Sequence, residues 1–292
     1  MELGVMLPIV SLPPRFRAPA WEQHGTAADL ARIAVAADEA GFRYLCTPEH
    51  VALPLSREDT RGGRYWDPFS TLGYLAAVTE RIDLVTYVLV LAYHHPLDIV
   101  KRAGTVDVIS GGRLHLGLGV GSLREEFALL GAAYEGRGAR ADDALRAIRA
   151  SLGARVASYT GTHYSYRDFI VEPGLRTDTP LWIGGRTPRS LRRAVEFADH
   201  WSPFSLPVDE AVRMLRAPSV QEAVARRSRP LKLVHYHDGE RLDPLRDPAA
   251  GLRLLDELRT AGVAGLVTQF AATSSAHYAE QIGAFAALAA RG

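Results

Sequence analysis

Apolar and polar positions along this chain follow two alternating periods. Short β-branched or leucine-rich runs at Leu3 to Leu7, Arg43 to Thr47, Ile82 to Leu91, Leu114 to Leu118, Pro180 to Gly185, His200 to Ser202, Leu231 to His235 and Gly265 to Gln269 read as strands. Between them lie stretches of helical spacing at Thr26 to Ala40, Pro68 to Thr79, Leu97 to Ile109, Pro188 to Ala198, Asp209 to Leu215, Val220 to Arg227, Ala249 to Ala261 and Ala276 to Ala290. A longer Ala- and Arg-rich helical stretch, Leu123 to Leu152, is interrupted around Gly136 and Gly138. Local chemistry marks the boundaries: Asp67 followed by Pro68 starts a helix, and Gly41 and Ser110-Gly111-Gly112 end two others. Alternating β and α units imply parallel strands joined by crossovers. A last helix after an eighth strand favours a closed α/β (β/α)8 TIM barrel over an open doubly wound sheet.

The rhythm breaks once. Residues 153–178 carry Tyr159, Thr160, Tyr164, Tyr166 and Ile170 to Glu172 in rough alternation, which predicts an excursion outside the barrel containing a hairpin. The 292 residues, 47% of them apolar, suit one barrel domain with insertions, since such barrels take about 250 residues. With 34 basic and 33 acidic residues the chain offers no field for a nucleic acid or a membrane, so the expected partner is a small-molecule substrate. Cys46 is the only cysteine, which excludes an internal disulfide, and the N-terminal apolar run is too short to span a bilayer and lacks the flanks of a signal peptide. A cytoplasmic protein is expected.

In a barrel of this kind the chemistry belongs just after the strands. Gly184-Gly185-Arg186-Thr187-Pro188 joins the fifth strand to a helix N-terminus, where backbone N–H groups, a hydroxyl and a guanidinium converge as a phosphate cradle. The same residues also fit an ordinary tight turn with Thr187 as N-cap. Gly117, Gly119 and Gly121 match a dinucleotide fingerprint poorly, because Ser122 stands where the third small residue is needed. Gly117 and Gly119 are expected to permit close strand packing, and Gly121-Ser122 to open space for a flat ligand. Glu49 and His50 follow the second strand and are the candidate catalytic pair, histidine being able to give or take a proton near neutral pH. Arg113 precedes a strand and is assigned a structural role, and the polar loop Leu53 to Tyr65 is long enough to cover the barrel mouth. His94-His95 with Asp98, and His235-Tyr236-His237-Asp238, raise a metallohydrolase reading; without a matching late acid or modified lysine, no metal is assigned.

Several motifs in order resemble a known family. They are Trp66-Asp67-Pro68-Phe69-Ser70-Thr71-Leu72, Ala76 to Ile82, His95-Pro96-Leu97, Asp107 to Arg113, Gly119-Val120-Gly121 with Glu126-Phe127, and Trp182-Ile183-Gly184-Gly185 with Ala198-Asp199-His200-Trp201. The chain resembles the luciferase-like monooxygenase superfamily, and within it the oxidoreductases that use coenzyme F420. The resemblance implies a bacterial luciferase-like barrel with a deazaflavin at its C-terminal mouth. It also implies a bulge with a non-proline cis peptide at Tyr87-Val88 propping the cofactor ring beside Val90, and a loop Val120-Gly121-Ser122 along the cofactor. By the same resemblance Gly184, Gly185, Arg186 and Thr187 take the cofactor phosphate, and His50 lies near the ring. The implied activity is hydride transfer between the deazaflavin C5 and a small organic substrate, and the implied assembly a homodimer. Two departures stand out: Glu49 where many relatives have Asp, and Ser122 where relatives carry Trp or a catalytic Glu. The competing functions are an FMN-dependent luciferase-like monooxygenase using reduced flavin and O2, a cofactor-binding protein without turnover, and a metal-dependent hydrolase.

Overall fold

The computed structural model describes residues 1–14 and 18–291. Its strands are β1 (Glu2–Met6), β2 (Tyr44–Thr47), β3 (Asp83–Thr86), β4 (Leu89–Val90), β5 (Leu114–Gly119), β6 (Val156–Thr160), β7 (Ser165–Ile170), β8 (Leu181–Gly184), β9 (His200–Ser202), β10 (Lys232–Tyr236) and β11 (Gly265–Thr268). Eight of them close a parallel barrel in the order β1, β2, β3, β5, β8, β9, β10, β11, with β11 returning to β1 through Leu3 opposite Leu266. The excursion is the antiparallel hairpin β6–β7. The stretch expected as one interrupted helix is two, Arg124–Leu129 and Arg137–Ser151, and the break falls at 130–136. Gly131 and Gly136 both take positive φ there, whereas Gly138 lies inside the second helix, so the expected break at Gly138 is corrected.

Pleating separates two cores. Leu3, Val5, Leu45, Leu84, Leu116 and Leu118 face the helices, while Met6, Cys46, Val85, Tyr87, Trp182, Val234, Tyr236 and Val267 fill the barrel. Toward the N-terminal ends of the strands the interior turns polar. Tyr44 donates to Glu2 at 2.5 Å, Lys232 to the other Glu2 oxygen at 2.8 Å, and His115 pairs with Asp83 at 3.1 Å. Trp182 Nε1 donates to His115 Nδ1 at 3.0 Å, and His200 stacks on Trp182 at 4.5 Å. Arg113 braces this end as expected, donating to the carbonyls of Ala76, Thr79, Ile82 and Ser110.

One irregularity shapes the opposite end. The Tyr87-Val88 peptide bond is cis, and between the pairs Val85–His115 and Leu89–Leu118 the β3–β4 side carries one residue more than β5. This is a bulge. Thr86 spans it by side chain, its hydroxyl donating to the Gly117 carbonyl at 2.8 Å and accepting from the Gly117 N–H at 2.9 Å. The strand then crosses so closely that a Cβ on Gly117 would lie 1.8 Å from the Thr86 carbonyl oxygen.

Candidate active site

The bulge presents Val88, half-buried, at the C-terminal mouth. Its methyl groups occupy the space that side chains at Gly119 and Gly184 would need: a Cβ would sit 2.6 Å from Val88 at the first and 2.9 Å at the second. Two glycines on neighbouring strands therefore exist to seat one valine, which leaves a shallow apolar ledge flanked by Gly119 to Ser122 on one side and Gly184 to Arg186 on the other. Gly121 adopts φ 74°, which a residue with a Cβ rarely takes, and a Cβ there would also strike Val90 and Phe127 at 2.7 Å. The glycine lets the loop lie down on Val90 and Phe127; it does not open the space the sequence suggested.

Of three further residues expected at the cofactor, Tyr87 and Val90 are buried and Thr187 is exposed. Tyr87 points into the barrel, with its hydroxyl bonded to Ser202 and its ring edge-on to Tyr236 at 5.7 Å. Val90 is buried against Ala92 and Phe127. Thr187 is an N-cap: its hydroxyl accepts from Ser190 N at 3.3 Å and its own N–H donates to Ser190 Oγ at 3.0 Å, which leaves the hydroxyl proton of this exposed residue available. The N-cap expected in the tight turn is present, at the helix start where the phosphate cradle was also expected. Arg186 is likewise exposed, with a 3.4 Å contact to the Ser205 carbonyl and the Phe204 ring 5.6 Å away. The ledge with a guanidinium at one end is chemically suited to a flat heteroaromatic carrying an anionic tail.

Glu49 and His50 part company. Glu49 is buried; one oxygen accepts from Val90 N at 2.6 Å and the other meets His94 Nε2 at 2.7 Å. It ties the end of β2 to the strand beyond the bulge, so of the expected catalytic pair Glu49 is buried within the fold. His94 in turn reaches Asp98 at 3.5 Å, and His95 caps the next helix by accepting from Leu97 N, so these histidines serve the scaffold. In the second histidine motif, His237 Nε2 bonds the Glu240 carbonyl and Asp238 accepts from Ser205.

His50 stays at the mouth and is oriented by Glu126, which the sequence offered only as part of the Glu126-Phe127 motif. Glu126, fully buried, accepts from His50 Nδ1 at 2.7 Å and Tyr93 OH at 2.9 Å, and from the N–H groups of Val51 at 2.6 Å and Ala52 at 3.2 Å. Burial alone would raise its pKa. The bond and charge of His50, with Tyr93 and the backbone donors, outweigh burial and hold the carboxyl below its ordinary value. Tyr93 is pushed the other way, upward, by burial and by the Glu126 charge, so it remains a donor. A carboxylate only accepts, which puts the ring proton of His50 on Nδ1 and leaves Nε2 as the free position. The Tyr65 and His50 rings meet edge to face with centroids 4.6 Å apart, at the end of the loop that closes over the mouth and bridges to Ser11. Glu126 had a sequence signal in the Glu126-Phe127 motif; Tyr93 had none.

The sequence profile of the luciferase-like monooxygenase family matches residues 1–237. An uncharacterised protein of Mycobacterium tuberculosis is 30% identical over 207 residues, which cover 65% of this chain and 72% of that protein. An F420-dependent glucose-6-phosphate dehydrogenase of Microbacterium testaceum is 26% identical over 223 residues, 75% of this chain and 65% of the relative. Among solved structures, a monooxygenase from Streptomyces bottropensis superposes with a TM-score of 0.79 at 20% identity, covering 100% of this chain and 99% of its own. An F420-dependent secondary alcohol dehydrogenase gives 0.74 at 11% identity, over 98% and 97% of the two chains. At such identities the superpositions establish the barrel fold.

Proposed function

Because this chain belongs to the luciferase-like monooxygenase family, we propose that it is an F420-dependent oxidoreductase that moves a hydride between the deazaflavin C5 and a small organic substrate. The observation that carries this reading is the buried Glu126 carboxylate fixing the His50 tautomer at the rim that also holds the Val88 ledge. Bound there, a deazaflavin supplies a hydride from carbon and reacts poorly with oxygen. The chain's own residues do the rest. Val88, seated between Gly119 and Gly184, would back the ring, Val120 to Ser122 would border it, and Gly184 to Arg186 would take the anionic end. His50 Nε2, the free nitrogen, gives a proton to or takes it from a substrate oxygen as the hydride joins or leaves the adjacent carbon, so a carbonyl and an alcohol interconvert with charge balanced. Tyr65 and its loop exclude water from that position.

The reading is tested by fluorescence titrations with F420 and with FMN on the protein and on Arg186→Ala. Saturable F420 binding weakened about tenfold or more by the substitution is the expected result. FMN binding without an F420 response would assign the chain to FMN-dependent monooxygenation instead, and binding of neither would leave a barrel without the proposed cofactor.

A further inference from the structure

A second concave site adjoins the mouth. A pocket of about 360 Å³ lies between the loop that covers His50 and the start of the helix carrying Glu126, walled by Arg57, Thr60, Arg61, Ser122, Arg124 and Tyr134. Three guanidinium groups converge on it in a chain whose charges otherwise balance at 34 basic to 33 acidic. Two are already engaged. Arg57 grips Glu125 through Nε at 3.0 Å and Nη2 at 2.7 Å. Arg124 pairs with Glu135 at 2.6 Å and lies over the Tyr134 ring at 4.2 Å, while Arg137 covers the ring at 3.9 Å. Arg61 has no carboxylate within ion-pair distance among the described residues; it reaches only the Ser122 hydroxyl, at 3.5 Å. Glu125 is the one acid on the wall, so the pocket retains a surplus of positive charge.

The pocket is also coupled to the candidate active site. Its floor, Ser122 and Leu123, continues the loop that borders the ledge, and the Tyr65 hydroxyl donates to the Arg61 carbonyl at 2.9 Å while its ring rests on His50. An anion bridging Arg61 and Ser122 would hold the covering loop down over the position where His50 works. An exposed guanidinium beside a hydroxyl, backed by two further arginines, suits a planar or tetrahedral oxyanion. Resting on the oxidoreductase reading above, we propose that this pocket is a substrate subsite, that the substrate carries a carboxylate or phosphate group, and that Arg61 is the residue that reads it. The small molecule then spans from Arg61 to His50, with its reducible or oxidisable carbon at the histidine end.

Calorimetric titrations of the full chain with inorganic phosphate and with succinate, against sodium chloride at matched ionic strength, test the assignment in the native protein, Arg61→Ala and Arg61→Lys. We expect saturable binding of at least one anion, weakened about tenfold or more in Arg61→Ala and partly retained in Arg61→Lys. F420 fluorescence titration of Arg61→Ala should match that of the native protein. Absence of saturable binding, equal affinity in Arg61→Ala, or loss of the anion only in Arg186→Ala overturns the subsite. A loss of F420 affinity in Arg61→Ala would mean that the pocket holds the cofactor, and overturns the substrate assignment. Anion binding that depends on Arg61 in a protein that does not bind F420 would uphold the subsite and refute the cofactor reading alone.

Discussion

Replacing Glu126 by glutamine keeps the shape of the side chain and removes its charge, which isolates what the carboxylate does. The amide oxygen must stay toward the N–H groups of Val51 and Ala52, since an NH2 there would face two donors. The amide NH2 then faces His50 Nδ1 and Tyr93, so His50 must accept where it formerly donated, and its proton moves to Nε2. Four bonds to a buried carboxylate become bonds to a neutral group. A bond to a charged group contributes about 1.5–3 kcal/mol against about 0.5–1.5 for a neutral one, about 4–6 kcal/mol over four bonds; the neutral amide is less costly to bury than the carboxylate, which offsets part of this, so a net loss of about 2–4 kcal/mol is expected from urea unfolding at pH 7. The wild-type carboxyl, with its pKa lowered in the folded state, stabilises fully above the ordinary carboxylate range and loses that contribution as pH falls through its folded value. Glu126→Gln should lack this part of the acid limb. Nitrogen NMR of the His50 ring should show the proton on Nδ1 in the native protein and on Nε2 in the variant. Under the proposed function, hydride transfer should fall by about 10²- to 10⁴-fold while F420 affinity holds. A variant that keeps the Nδ1 proton and turns over within about threefold of the native rate would refute the reasoning.

Three further outcomes follow from the packing. His200, 5% exposed and stacked on Trp182, has its pKa lowered to about 3 by burial and by the neighbouring His115, so its neutral form is favoured on folding. Its contribution is complete above pH 6.5 and is lost as pH falls toward 3; at pH 4 the native protein should have lost about 3 kcal/mol that His200→Phe retains, as measured by urea unfolding at pH 7 and pH 4. Gly119→Ala drives a methyl group against Val88 at 2.6 Å and should cost about 1–3 kcal/mol together with cofactor affinity. Adding Val88→Ala should recover much of the stability, and a fully additive double-mutant cycle would disprove the seating of one residue by the other. Gly117→Ala meets a backbone oxygen instead, at 1.8 Å, so no side-chain change should rescue its folding in a thermal melt.

The order of elements was legible because strand and helix signals are local. Apolar runs of period two, Asp67-Pro68 and Thr187-Pro188 at helix starts, and glycines at helix ends act within a few residues of themselves, and the eight-unit rhythm then leaves a closed barrel as the economical arrangement. The family resemblance likewise named His50, Val88 and Arg186 as expected site residues. Which neighbour each group would choose could not be read this way. Glu49 and Glu126 are chemically alike and Glu49 is the one next to His50 in the sequence, yet it turns inward to Val90 and His94 while Glu126, 76 residues from His50, meets it across the mouth. Those partnerships depend on strand register and on one extra residue at the bulge, which set side-chain direction across elements distant in the chain. The sequence by itself determined the elements, the barrel and the rim where chemistry belongs. Tertiary structure alone decided which carboxylate holds His50, and that Arg61 is left without an acid among the described residues, because each is settled by long-range geometry and by competition for partners.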